Sequence, residues 1–381
     1  MRKSVVCGPV FVVALAVSAA AQGVAPADPV TQNVAVVSTS QAGRLQFAAS
    51  AEQVPAAPRP ASAMKKPGGL KRWVDLQTAT LAARSRENQA GPDAPKLVGL
   101  QHQQIFKARF NADSSAKFGV GFAAQTGSSF TSGWDNTGIG ANARTSNLTV
   151  RQLFASAKPV RSLDLQYGGI GIARGESTEI TTFDNDGAMV GSRATVKNPK
   201  AFFNEISLTQ GYLGDASLPS FFDRAHRLDE VNYRQLLVAR DVTKRVKTAF
   251  DVTSLDGKRS YHEGVKVRLA GSHVLDSVRL EAYQRAADDA SGYALSLERG
   301  VGRVLFGGGW ADIDKRFTTL GGDRYGRGDR LFTTVTAPVF GSVTVSGFYG
   351  YAIDRDVKQR SRGDLVLTYD VLKALRARKV L

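Results

Sequence analysis

From about Pro95 onward, apolar and polar residues alternate one by one along the chain. In "VKVRL", Val265, Val267 and Leu269 flank Lys266 and Arg268. In "VRLEAYQR", Val278, Leu280 and Ala282 alternate with Arg279, Glu281, Tyr283 and Arg285. "LDLQYGG" sets Leu163, Leu165 and Tyr167 against Asp164 and Gln166, and "VTVSGFYGY" sets Val343, Val345, Tyr349 and Tyr351 against Thr344 and Ser346. A period of two marks a strand with one apolar and one polar face. Further strands are predicted to begin near Ile105, Lys117, Leu148, Met189, Phe202, Val231, Val246, Tyr293, Val304, Leu331 and Leu365. Turn-type breaks at "LDGKR" (255–259), "ADDASG" (287–292) and "GGDRYGRGD" (321–329) separate many of them. Ten-residue strands with their connections fill residues 97–381 with about 14–16 strands.

An open sheet of that size leaves unpaired edges, and closing it removes them. The expected fold is therefore all-β: a closed antiparallel transmembrane β-barrel over 97–381, with its apolar faces outward. Pairing every backbone group around a ring is what lets strands cross lipid. Tyr167, Phe202, Tyr233, Trp310, Tyr349 and Tyr351 are candidates for the aromatic girdles at the membrane surfaces.

The N-terminus reads differently. Met1-Arg2-Lys3 is a cationic start, Val5 to Val17 is apolar, and Ala19-Ala20-Ala21 supplies the small residues of a cleavage site. This is the order of a secretory signal, residues 1–21, and the run is too short for a spanning anchor. The chain's single cysteine, Cys7, lies inside it, which excludes a disulfide framework, a thiolate nucleophile or a cysteine metal site in the mature chain. Residues 22–69, rich in Ala, Pro, Gln, Ser and Val and ending in "VPAAPRPASAMKKPGG", bury too little surface to offset ordering entropy and are expected to be a disordered linker. In 70–96, "LKRWVDLQTATLAARSRENQ" carries enough apolar residues for either a strand or a helix.

An export signal, alternating strands and the stretch "LDLQYGGIGIARGESTEITTFDNDGAMVGSR" together resemble the outer-membrane porin-like barrels of Gram-negative-type bacteria, including anion and alginate-export channels. The resemblance covers about 97–381 and implies a cell outer-membrane location, passive solute transport and handling by the barrel-assembly machinery. It allows a homo-oligomer. Such barrels usually end on a strand with a terminal aromatic residue. This sequence runs on past "DLVLTYDV" into "LKALRARKVL", a short amphipathic end suited to anionic headgroups.

Charge narrows the partners. The formal net charge is +16, and removing Arg2 and Lys3 with the signal lowers it by two. Dispersal of Lys and Arg over alternating strands, without a recognition motif, argues against nucleic acid. A lipid-facing Lys or Arg costs about 2–4 kcal/mol at mid-bilayer. Arg193, Lys266, Arg268, Arg279 and Arg285 are therefore placed on the lumen side, where they would concentrate small anionic solutes. Any one of them could instead lie in a loop or at headgroup level, where the cost nearly vanishes.

Within "RGESTEITTFDNDGAMVGSR", Glu176, Glu179, Asp184 and Asp186 form an acidic loop. Asp184 and Asp186, with Asn185 and Gly187, read first as a solvated surface turn. A sharper reading turns the loop inward and sets its carboxylates against a basic wall, producing a field across a constriction. Asp184, Asp186 and Gly187 match only part of a calcium loop. Paired carboxylates on one loop seldom reach the opposed geometry of a glycosidase. His102, His226, His262 and His273 show no metal spacing, and His262 and Glu263 point to opposite faces of their strand. No cofactor and no catalytic residues are expected. "PSFFDRAHRLDEVNY" (219–233) is a larger excursion, a short helix or a folded-in loop. The reading is a passive, anion-favouring channel and not an enzyme. The alternatives are a non-conducting exported barrel or binding protein and, behind it, a barrel enzyme acting on lipid or polysaccharide.

Overall fold

The computed structural model describes residues 72–129, 132–182, 187–215, 217–269, 271–316, 326–354 and 359–380. The signal and the linker lie outside them, as do Asp184, Asp186 and most of "GGDRYGRGD".

The described residues contain β1 (Val74–Gln89), β2 (Lys96–Asn111), β3 (Phe118–Thr126), β4 (Asp135–Gly140), β5 (Leu148–Ala157) and β6 (Leu163–Gly171). There follow β7 (Ala188–Lys197), β8 (Glu205–Tyr212), β9 (Tyr233–Asp241), β10 (Val246–Leu255), β11 (Lys258–Arg268) and β12 (Ser277–Arg285). The series ends with β13 (Ala290–Val301), β14 (Val304–Ile313), β15 (Gly328–Phe340), β16 (Val343–Ala352) and β17 (Ser361–Asp370). Every pairing is antiparallel, and β17 closes the ring on β1, Thr80 opposite Asp370 through Gln89 opposite Ser361. Sixteen of these strands form the closed barrel. The other, β4, pairs with β2 above the shorter β3, while β3 pairs directly with β5.

The barrel begins earlier than the boundary at 97 suggested by alternation, because β1 is the closing strand. Its outward positions intersperse Leu81 with the small Ala79, Ala83 and Ser85, and its inward ones include Arg84 and Arg86. That mixture hides the period of two that a larger apolar face would reveal.

Elsewhere the alternation places side chains as the sequence implies. Leu165, Tyr167, Ile206, Leu208, Leu280, Leu331, Leu365 and Leu367 are exposed on the outside, whereas Gln101, Gln103, Thr195, Ser207, Thr209, Thr253, Ser277 and Ser346 are buried on the inside. The fold is thus turned inside out relative to a protein in water, with its apolar area around the circumference. Of the girdle candidates, Tyr167, Phe202, Trp310, Tyr349 and Tyr351 are exposed. Tyr233 is not: it is fully buried and packs inward with Ile170, Met189 and Leu213.

Because neighbouring strands run in opposite directions, alternate connections lie at the same end. The long ones, 127–147, 172–187, 213–232 and 314–327, share one end, and both termini of the barrel leave from the other. The tight β10–β11 hairpin turns on Asp256 (φ 50°) and Gly257 (φ 77°), the left-handed pair that a two-residue turn needs. After β17, Asp370 caps a short helix, Val371–Ala377, by accepting from the Lys373 amide, and Leu372 is its buried residue.

Candidate functional site: a lumen narrowed by inward loops

The connection after β6 does not stay at the rim. Gln235 on β9 donates to the Ala173 carbonyl at 2.8 Å, fixing the point where the chain turns in. Gly175 then lies against the inner wall, where an added Cβ would come within 2.6 Å of the Ala249 Cβ; its φ of +57° also favours glycine. Gly264 on β11 matches it from the wall side, since a Cβ there would sit 2.8 Å from the Glu176 carbonyl carbon. Absent side chains let two backbones approach closely.

Glu281 on β12 anchors the next turn. Its carboxylate accepts from the Thr178 amide (2.8 Å), the Thr178 hydroxyl (2.6 Å) and the Thr181 hydroxyl (2.7 Å). Charge-assisted bonds of this kind satisfy a carboxylate that burial would otherwise penalise. Beyond it, Ile180 joins Tyr283, Ala294, Ala311, Ile313, Phe332 and Phe348, inward residues of β12 to β16. A segment that leaves β6 and packs on β12–β16 spans the barrel interior. Of the acidic loop, Glu179 is buried and Glu176 half-buried inside the barrel, whereas Asp184 and Asp186, on which the surface-turn reading rests, lie outside the described residues.

A second connection enters from the β3–β5 side. Arg151, the extra residue of a bulge in β5, donates to the carbonyls of Thr126 (2.7 Å) and Ser132 (2.5 Å) and ties the segment down. Trp134 is thereby buried against Val366, with Ala82 beside it. The Arg84 guanidinium lies 4.0 Å from the centre of its ring, a cation–π arrangement. Arg84 also donates to Gln101 (2.9 Å), which donates to Asn136 on β4 (2.7 Å).

Next to Arg84 stands a charged triad. Asp364 on β17 accepts from Arg86 at 2.8 Å and from Arg362 at 2.9 and 2.7 Å. Arg330 on β15 extends this wall, donating to the Gln359 carbonyl at 2.6 Å. Across the ring, β10 and β11 carry Asp251 and His262, joined at 2.9 Å, with the imidazole beside Tyr283. Glu263 points the other way, outward.

All five basic positions singled out in the sequence lie on inward faces of their strands, in different settings. Lys266 meets Glu298 at 2.9 Å. Arg193 donates to the Thr209 hydroxyl (3.0 Å) and the Gly171 carbonyl (2.5 Å). Arg279 shares its face with Glu281, and Arg268 is exposed near the short-turn end. Arg285 sits at the long-loop end, clamped by Asp288 at 2.8 and 2.5 Å and by the Arg316 carbonyl. The clamp holds the Asp288 carboxyl down at about 2. In the β2–β3 turn the Phe118 amide and the Ser115 hydroxyl hold Asp113 at about 2 as well. Among the described residues no group of three His, Cys, Asp or Glu side chains is arranged to hold a metal.

Sequence reading missed the Arg84, Arg86, Arg330 and Arg362 wall. The signal was present in "ARSRENQ" and "SRGDLVLTYD", where charged residues recur at every second position.

No protein-family profile matches the chain, and no curated protein matches it. Solved structures do. OmpF of Salmonella typhi, in complex with daunomycin, is similar at 11% identity and a TM-score of 0.50, over 78% of this chain and 97% of that one. A mutant of the Rh. blastica porin is similar at the same identity and TM-score, over 78% of this chain and 99% of that one. At such low identity the likeness shows a shared barrel fold.

Proposed function

We propose that this protein is an outer-membrane channel for passive diffusion of small solutes, and that its lumen favours anions. The observation that carries the reading is the opposition of the two barrel faces: an apolar circumference suited to lipid and a polar interior narrowed by the segment 172–182. Water and small polar solutes have a path only where the interior is polar, and a segment across it sets the size limit. The anion preference rests on the inward Arg84, Arg86, Arg330 and Arg362, whose summed field extends into the lumen beyond their own contacts. Glu176 and Glu179 on the crossing segment temper that field without cancelling it. Assembly by the barrel-assembly machinery and a homo-oligomeric form belong to the same reading.

The near-complete burial of Arg84, Arg362 and Trp134 supports a second reading, a barrel whose lumen is plugged. Planar-bilayer recording separates the two. Stepwise conductance with chloride preferred over potassium supports the channel, and absence of steps from folded protein supports the plugged barrel.

A further inference from the structure

The outer wall carries a feature that transport does not use. At the long-loop end of β8–β11, backbone pairing puts Gln210, Arg234, Ser254 and Arg259 side by side: Gln210 opposite Arg234, Arg234 opposite Ser254, Ser254 opposite Arg259. All four point outward, because Thr209, Tyr233, Gln235 and Thr253 take the buried inner positions. Arg234 and Arg259 are exposed. Among the described residues neither makes an ion pair or a side-chain hydrogen bond. The neighbouring Arg227, by contrast, is held by Glu230 at 2.7 Å and lies over the Tyr212 ring.

The row below is apolar and in register. Leu208 stands opposite Leu236, Leu236 opposite Val252 and Val252 opposite Tyr261. Two unpaired guanidiniums flanking a hydroxyl, directly above an apolar strip, match an amphiphile with an anionic head and acyl tails. Planar N–H forks suit tetrahedral phosphate oxygens. The outer rim is not uniformly basic: on β14 and β15, Asp312 stands opposite Asp329, both outward. The cationic row is thus a local site and not a general property of the rim.

We propose that Gln210, Arg234, Ser254 and Arg259 form a docking site for the phosphate-bearing headgroup of a lipid in the leaflet at the long-loop end. The tails lie along Leu208, Leu236, Val252 and Tyr261. The site is separate from the lumen, and its occupancy does not depend on whether the barrel conducts.

The test is native mass spectrometry of the detergent-folded protein titrated with dioleoyl phosphatidic acid and, separately, with dioleoylglycerol, which lacks only the phosphate. Saturable retention of the phosphatidic acid, at least about tenfold tighter than the diacylglycerol, is expected from charge-assisted bonds. Arg234→Gln with Arg259→Gln should abolish that difference, while Arg240→Gln, at the short-turn end, should keep it. Equal binding of the two lipids by the unaltered protein would overturn the proposal, even if the double variant did not fold. So would an equal loss in Arg240→Gln, which would reduce the effect to overall charge. Displacement by inorganic phosphate alone would also overturn it, by showing a free-anion site with no part for the tails.

Discussion

The wall of β15, β17 and β1 and the wall of β10–β12 face each other across the lumen and use charge differently. On the first, Arg86 and Arg362 bind Asp364 while Arg84 is held by Gln101 and Arg330 by the Gln359 carbonyl, so the cations outnumber the single carboxylate that pairs two of them. On the second, the carboxylates are committed: Glu281 to Thr178 and Thr181, Asp251 to His262. Glu281 on the β10–β12 wall therefore fastens the crossing segment, while the cations of the β1 wall are the ones on which the proposed anion preference rests. Equal numbers of charges could not produce this division; their partners do.

The sharpest way to break the comparison is to remove Asp364. Asp364→Ala leaves Arg86 and Arg362 buried and mutually repelling, and losing one partner of a buried ion pair typically costs about 3–5 kcal/mol. The urea midpoint of the detergent-folded barrel should fall accordingly, and Asp364→Asn should fall less. A midpoint unchanged in both would mean that solvent already screens the triad.

Removing the fastening on the other wall comes next. Glu281→Ala deletes the acceptor of three loop donors, each bond to a charged group being worth about 1.5–3 kcal/mol at most. Part of this is recovered when the loop amide and hydroxyls meet water. Amide exchange over 174–182 should accelerate while the strands keep their protection, and single-channel conductance should rise. Equal protection in the variant would show that the apolar seat of Ile180 alone holds the segment.

Gly264→Val sharpens the same point from the backbone side. Its Cβ would fall 2.8 Å from the Glu176 carbonyl carbon, so the segment must move, at a cost of roughly 1–3 kcal/mol. Wider pores for neutral sugars in a liposome-swelling assay are expected, without a change in ion preference. The smallest effect is at Asp288. Its carboxyl titrates at about 2 in the folded protein, below the usual value of about 3.9. Its contribution is therefore complete above about pH 4 and is lost as pH falls toward 2. A carboxyl resonance of Asp288 shifting near pH 4 would contradict the clamp by Arg285.

Much of this was legible in the sequence because a membrane barrel writes its two faces directly into a period of two. "LDLQYGG", "VKVRL" and "VRLEAYQR" each supplied a strand. The turn at "LDGKR" was readable because Asp256 and Gly257 tolerate the left-handed backbone a hairpin needs. β1 was not, since Leu81 is flanked on its outward face by Ala79, Ala83 and Ser85, small where other strands carry Leu or Val. Tyr233 was misassigned to the outside because an aromatic residue near a strand end satisfies either face, and only the start of β9 decides which. The inward path of 172–182 depends on Gln235, Gly264 and Glu281, distant in sequence and silent until the ring closes. The acidic stretch itself looks the same whether it meets water or a wall.

The reversal potential of single channels under a KCl gradient tests the central claim most directly. An account in which the β1 wall sets the field predicts a potential on the chloride side of zero, moved toward zero by Arg86→Gln with Arg362→Gln. Potassium preference in the unaltered protein, or no conductance from protein that keeps its folded, heat-modifiable mobility, would contradict it.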